Sequence, residues 1–385
     1  MVKIYSKQDI HLLDWERINE GNKLKCFLEA LVTKEPHLLV KNVHGEFHLL
    51  AIDEILLPIL SVSTNSVHQK STYISSIISQ YLDYAKEELL SSPKLNYFKK
   101  AVLRAGFQLC KSVFRAFKAD DVVFINNWLV STNLYPDFSQ DTLNEIKTEL
   151  IRFFPGKAIV FRSVCDRIDD ELKSQLQNQG FSSIVSRHIF LFDPAIKKNW
   201  KKRANVIDQK LWDKSDGFTW VNGQSIFERD HLGKALKMYF DLYIEKHSPW
   251  NPKYDQDFLS LALKSGFLDI HLLKFKEEVC GVQAIASNGK VMTTPFIGYD
   301  QSFPKEAGLY RFLNLQLINQ AREKNFILNM SSGADTFKKQ RGGTSSFEYN
   351  MVYFDHLPVW RRWFWKVFDY ASEKIIKPGL LHYKA

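Results

Sequence analysis

Apolar and polar positions along the chain set out one order of elements twice. In the first half, Asp121–Asn126 reads as a strand, followed by the polar loop Asn127–Phe138. Leu143, Ile146, Leu150 and Phe153 recur at helical spacing and predict a helix over Gln140–Phe154. Ala158–Val164 reads as a buried strand and Asp169–Gln179 as a helix stopped by Gly180. Phe181–Phe192 follows as a long strand.

The second half repeats the order. Lys290–Asp300 reads as a strand, Gln301–Ala307 as a loop, and Gly308–Lys324 as a helix with Leu309, Phe312, Leu315, Ile318 and Ala321 on one face. Phe326–Met330 is a short strand, Ala334–Arg341 a helix closed by Gly342-Gly343, and Ser345–Phe354 a long strand. Only here does a hairpin stand out beforehand, formed by Asp269–Phe275 and Val279–Ala286. Alternating strands and helices imply an α/β fold with a mixed sheet and helices on its faces. Two such units in tandem account for 385 residues without a Pro/Gly/Ser-rich linker. The expected division is a first unit over residues 1–195, a basic linking helix over 196–214, a second unit over 215–356 and a C-terminal helix over 357–385.

Composition narrows the class. Apolar residues make up 45% of the chain, while 17 Gly and 12 Pro are too few for a disordered or repetitive protein. Cys26, Cys110, Cys165 and Cys280 form no CxxC pair, and the first residues carry charges where a secretory leader would be apolar. These features lead to an expected cytoplasmic location and no structural metal. His37, His44 and His48 have no cysteine near them to complete a zinc set.

Charge adds a partner. The net charge is +9, and it is concentrated: residues 94–119 hold seven Lys/Arg and no acid, and residues 196–214 hold seven against two acids. Within 94–119, Leu95, Phe98, Val102, Ala105, Leu109, Val113 and Phe117 share one helical face, which is expected to pack on the core with the lysines in solvent. The alternative is a helix that faces an anionic partner. In residues 359–385, Trp360, Trp363, Phe364 and Phe368 fall on one face flanked by Arg361, Arg362 and Lys366. Rings at headgroup depth beside cations suit an anionic membrane surface, at the inner face of the membrane for a cytoplasmic protein. Docking of the same rings on the core is the competing expectation. DNA is not an expected partner, since no helix-turn-helix or finger pattern accompanies the basic segments.

The order strand, loop, helix, strand, helix, strand resembles strands four to six of the GNAT acyltransferase fold with its third and fourth helices. Two such units joined by a Lys-rich segment resemble the tandem GNAT proteins of the FemABX type. Gly333-Ala-Asp-Thr-Phe337-Lys338-Lys339-Gln-Arg341-Gly342 is similar to that group's G-x-x-x-Y-K-x-x-x-G element, with Phe337 in place of Tyr. Lys305-Glu306-Ala307-Gly308-Leu309-Tyr310 matches the basic-x-x-Gly-x-small loop whose backbone binds the pyrophosphate of coenzyme A, with Tyr310 in the small position.

The resemblance implies an N-acyltransferase that uses acyl-CoA as cosubstrate, holds it in the second unit and acylates a primary amine. Elementary chemistry points to the same residues. A helix start offers free N–H groups to phosphates, so Lys305, Glu306, Ala307, Gly308, Leu309 and Arg311 are candidate donor contacts. Pro295 inside Val291–Asp300 marks a bulge or a simple edge strand, and the resemblance implies a bulge that frees N–H groups toward an acyl carbonyl beside Phe296 and Ile297. Asn329 and Ser331 end a strand where α/β proteins place polar groups in a cleft, and Ser332 is expected to cap the next helix. With Lys338 and Tyr310 they are the candidate catalytic residues. The first unit has no Gly in the phosphate position, so its loop residues Asn127, Trp128, Thr132 and Asn133 are candidate acceptor contacts. Two readings stand beside this one. Charged tRNA could be the donor, with an aminoacyl group transferred, or both units could be inactive in a scaffold protein.

Overall fold

The computed structural model describes residues 2–65, 71–90, 96–223 and 229–382. Lys94 and Leu95, which open the predicted basic helix, lie outside the described residues, as do residues 383–385 of the tail.

Among the described residues the strands join in one mixed sheet. The first half supplies β1 (Val2–Tyr5), β2 (Glu46–Ile52), β3 (Ile55–Val62), β4 (Val122–Ile125), β5 (Ala158–Cys165) and β6 (Ser182–Phe192). The second supplies β7 (Phe218–Asn222), β8 (Asp269–Phe275), β9 (Glu278–Asn288), β10 (Val291–Tyr299), β11 (Ile327–Asn329) and β12 (Thr344–Tyr353). Their order is β1-β2-β3-β4-β5-β12-β6-β11-β10-β9-β8-β7. Exchanging each strand for its counterpart in the other half returns this order read from the opposite edge. The halves are therefore related by a pseudo-twofold axis between β6 and β12. Both parallel pairs, β4–β5 and β10–β11, occupy equivalent places.

The last strand of each half crosses the axis. β12 pairs with β5 and β6 with β11, while β6 and β12 pair with each other from Thr344↔Leu191 to Val352↔Ser182. The first half also has a hairpin, β2–β3, paired from Glu46↔Ser61 to Ile52↔Ile55. The sequence pattern hides it because β3, ILLPILSV, is apolar on both faces and buried almost throughout, so it lacks alternation.

Helices cover the sheet. The Gln140–Phe153 helix buries Leu143, Ile146 and Leu150, and the Leu309–Lys324 helix buries Leu309, Phe312, Leu315, Ile318 and Ala321. Each Leu, Ile and Phe among them contributes about 1.5–3 kcal/mol through burial. Two helix faces differ from expectation. The Tyr97–Ala116 helix has no buried residue, and the Phe98, Val102, Leu109 and Val113 face expected on the core points to solvent. It packs instead through half-buried Phe107, Phe114 and Phe117, because the smaller arc bearing these aromatics meets the tail helix. In the tail, Val359–Ala371 splits its predicted face: Phe364 and Phe368 are buried, while Trp360 and Trp363 stay exposed. Arg361 is buried too, donating to the carbonyls of Gly156, Lys118 and Asp121.

Candidate active site

The sheet axis carries a buried ion pair. Glu348 on β12 lies directly opposite Arg187 on β6 and has no exposed surface. Arg187 Nε donates to Glu348 Oε2 at 2.8 Å, and Nη2 reaches the same oxygen. The other oxygen, Oε1, accepts from Asn329 Nδ2 at 3.0 Å and from Thr132 Oγ1 at 3.2 Å. Arg187 Nη2 also donates to Thr132 Oγ1 at 2.7 Å, and Nη1 to Ser331 Oγ at 3.4 Å. Burying two charges costs several kcal/mol each, and only a pair with its remaining hydrogen bonds satisfied recovers that cost. Burial works against the Arg187 charge, but the adjacent carboxylate outweighs it and holds the guanidinium above its ordinary value. Arg162, with no such partner among the described residues, donates to the carbonyls of Val130 and Ser131. Burial, and after it the charge of Arg187, push its pKa down to about 10.

Three candidate residues meet at this pair: Thr132 from the first half, and Asn329 and Ser331 from the second. Asn329 links strand and loop, since its Oδ1 accepts the Ser331 amide at 2.8 Å while its Nδ2 holds Glu348. Ser331 adopts a left-handed φ of 61°, which this bond helps to hold. Lys338 braces the same loop, and its buried Nζ donates to Ser331 O at 3.0 Å and Ser332 O at 2.7 Å. Ser332 does not cap the following helix. Asp335–Gln340 starts after Ala334 with no side-chain cap, and Lys338 binds the Ser332 carbonyl instead.

Beside this cluster, β10 bulges. Its register against β9 shifts between Thr293 and Phe296, across Thr294-Pro295. Pairing with β11 stops at Thr293↔Asn329, so the parallel strands part beyond the residue that contacts Glu348. Thr294 Oγ1 donates to Ala284 O at 3.0 Å, partly replacing the ladder bond lost there. Past the bulge, Phe296 stacks on Tyr239 at 4.5 Å, and Ile297 is buried.

The candidate donor loop follows β10. Lys305–Ala307 makes one 3-10 turn, and Gly308, at φ 77°, starts the long helix with no side-chain cap. Lys305 and Glu306 are exposed, Ala307 is half-buried and Leu309 is buried. Arg311 donates to Asp208 Oδ1 at 2.5 Å, and Arg341 takes Oδ2 at 2.7 Å. A Cβ on Gly308 would lie 2.6 Å from Leu211 Cδ2 of the linking helix, Arg203–Asp213. Tyr310 packs against Phe337 at 4.9 Å and Tyr299 at 6.0 Å, and burial raises its phenol pKa.

In the first-half loop, Asn127 donates to Ile74 O at 3.0 Å, and Trp128 Nε1 donates to Asn126 Oδ1 at 2.6 Å. The Trp128 ring stacks on Phe267 at 4.7 Å, and Asn133 Oδ1 accepts the Trp128 amide. These three side chains brace the loop that presents Thr132. Among the described residues no group of three or more His, Cys, Asp or Glu is placed to hold a metal. Sequence reasoning missed Arg187, Glu348, Arg162 and Asp208. The available signal was a charge inside a strand, Arg162 in β5, Arg187 in β6 and Glu348 in β12, while Asp208 on the linking helix had none.

Residues 225–339 match the family model described as acetyltransferase (GNAT) domain. No curated protein matches the sequence significantly. Among solved structures, FemX aligns with 91% of this chain and 98% of its own at a TM-score of 0.50 and 10% identity. A tandem GNAT protein from the clavulanic acid biosynthesis pathway covers 91% of this chain and 98% of its own, with a TM-score of 0.37 and 7% identity. The C-terminal domain of a lysylphosphatidylglycerol synthetase from Agrobacterium fabrum covers 56% and 74%, with a TM-score of 0.42 and 12% identity. The chain has a tandem GNAT, FemABX-like fold, and the match to the acetyltransferase (GNAT) model falls in its second half.

Proposed function

We propose that the protein transfers an acyl group from acyl-CoA to a primary amine, with the donor in the second unit and the acceptor between the units. One observation carries the reading. The β10–β11 pair opens at Thr293↔Asn329, beside the cluster of Asn329, Ser331, Thr132, Arg187 and Glu348. Backbone N–H groups freed at a bulge suit the oxygen that develops negative charge as the amine attacks. The acyl chain would lie along Phe296 and Ile297, and the pyrophosphate at the uncapped helix start after Gly308, near Lys305. Four hydrogen bonds occupy Glu348, which therefore organises the cluster instead of serving as a free base. Ser331 accepts from Arg187 and keeps its own O–H for the acceptor side. Tyr310, kept protonated by burial, suits the acid that returns a proton to the leaving thiolate.

Charged tRNA as donor is the second reading, and Asp208 favours it. By pairing with Arg311 it removes a cation from the pyrophosphate end, and Leu211 screens Gly308. Calorimetry with CoA, acyl-CoA and charged tRNA separates the two. Tight CoA binding supports the first reading, and binding of charged tRNA alone replaces it with the second. Lys338→Met should then lower kcat roughly tenfold or more by releasing the Ser331 loop, with donor KM little changed. Lys339→Met, on the exposed side, should leave kcat near wild type, and equal losses from both would remove Lys338 from the site.

A further inference from the structure

The Tyr97–Ala116 helix turns its apolar arc outward. Phe98 is 73% exposed, Val102 57%, Leu109 69% and Val113 42%, and all four lie on one side at helical spacing. The opposite side is the one attached to the protein, through Leu103, Phe107, Phe114 and Phe117. Leaving four large apolar side chains in water on a helix with an inner face of its own is the mark of an interaction surface.

The tail helix continues this surface. On Val359–Ala371, Val359, Trp360, Trp363, Val367 and Tyr370 point outward, with Trp363 61% exposed. The two helices meet at Phe117, whose ring lies 5.8 Å from Trp360 and 6.2 Å from Trp363. Val113 and Phe117 at the end of one helix therefore run into the tryptophans at the start of the other. Cations border the patch. Lys99, Arg104 and Arg115 are exposed on the first helix, Lys118 just past its end and Lys366 on the second, while residues 94–119 contain no acid.

We propose that the outer faces of the Tyr97–Ala116 and Val359–Ala371 helices form one docking surface for an anionic lipid bilayer. An interfacial helix buries such an apolar arc at headgroup depth while its flanking Lys and Arg reach phosphates, and tryptophan favours that same boundary. Charge selects this occupant over a second copy of the chain, whose own basic patch would meet this one in a symmetric dimer. It is selected over RNA by the row of Val102, Leu109 and Val113, since aliphatic side chains offer bases no stacking platform. No helix among the described residues is long and apolar enough to cross a membrane.

Flotation of the full chain with liposomes tests this, because truncating the tail would remove buried Phe364, Trp365 and Phe368. Wild type should float with vesicles containing phosphatidylglycerol, float weakly with pure phosphatidylcholine, and detach as salt is raised. Leu109→Glu and Trp363→Ser change exposed side chains. Each should keep the thermal midpoint and cut vesicle binding about tenfold. Lys99→Gln with Arg104→Gln should weaken binding roughly fivefold per charge at low salt. The proposal is overturned if wild type fails to float on the anionic vesicles, or if Leu109→Glu floats as wild type does. Two other outcomes overturn it as well: a dimer that Leu109→Glu dissolves in place of vesicle binding, and RNA binding that survives Leu109→Glu without flotation.

Discussion

The two halves build the same helix start in opposite ways. In the first, Ser139 caps the Gln140–Phe153 helix, with its Oγ accepting the Thr142 amide, and Asp141 places a carboxylate in the first turn. In the second, Gly308 opens the Leu309–Lys324 helix with no side-chain cap and no acid in the first turn. A hydroxyl and a carboxylate satisfy the amides and the positive end of the dipole internally, whereas a bare glycine leaves both for a ligand. Both halves keep the strand order and the parallel pair, so the scaffold is the same in both and the helix start is satisfied internally in one alone.

The largest test of this comparison strikes what the halves share. Glu348→Ala leaves Arg187 buried without its carboxylate and should cost about 3–5 kcal/mol in urea unfolding. Because β6 and β12 each complete the sheet of the other half, the loss should appear as one shifted transition. Two separate transitions, only one of them shifted, would show that the halves fold independently.

Next in size is a matched pair at the helix starts. Gly308→Asp puts a carboxylate where the pyrophosphate is proposed and a Cβ on a left-handed backbone, so CoA binding should fall about a hundredfold or more. Ser139→Ala should cost about 1 kcal/mol of stability and leave CoA affinity unchanged. Calorimetry and melting on both variants check the contrast, and equal effects on CoA would abolish the assignment of the donor to one half.

The smallest effect is a pH dependence set by a carboxyl of the first half. Asp120 is fully buried and accepts from Ser76 Oγ and the amides of Ile77 and Ile78, yet burial outweighs these bonds and raises its pKa to about 6. The folded chain therefore holds a proton that the unfolded chain has lost once the pH exceeds the ordinary value of 3.8. Its contribution is fully present below that value and is lost as the pH rises through about 6. Asp120→Asn cannot ionise, so its melting temperature should gain on wild type across that window and run parallel above it.

Local periodicity made most of the scaffold legible. The helix over Leu309–Lys324 buries every residue its spacing named, and Pro295 marked the bulge because a proline inside a strand has few other meanings. The strand exchange was not legible. The 10-residue strand β12 offers the same alternation to β5 as to β11, and nothing local says that β6 will lie beside it. Arg187 and Glu348 were lost for the same reason, being partners across 161 residues. The Tyr97–Ala116 helix misled through its own regularity, since a clean apolar face says that something covers it and not whether that cover belongs to the chain.

Synthesis runs from one end, and this sheet does not close in that order. When the ribosome has finished the first half, the outer edge of β5 has no neighbour, because its partner is Thr344–Tyr353, which is made only after β6 to β11. Ala158–Cys165 is apolar apart from Arg162 and Ser163 and fully buried in the finished fold, so for most of translation it is an open strand edge of the kind that recruits other chains. Expression should therefore be limited by the delay between these two segments. A messenger translated faster over its second half, or a holdase covering β5, should raise soluble yield more than any added surface charge.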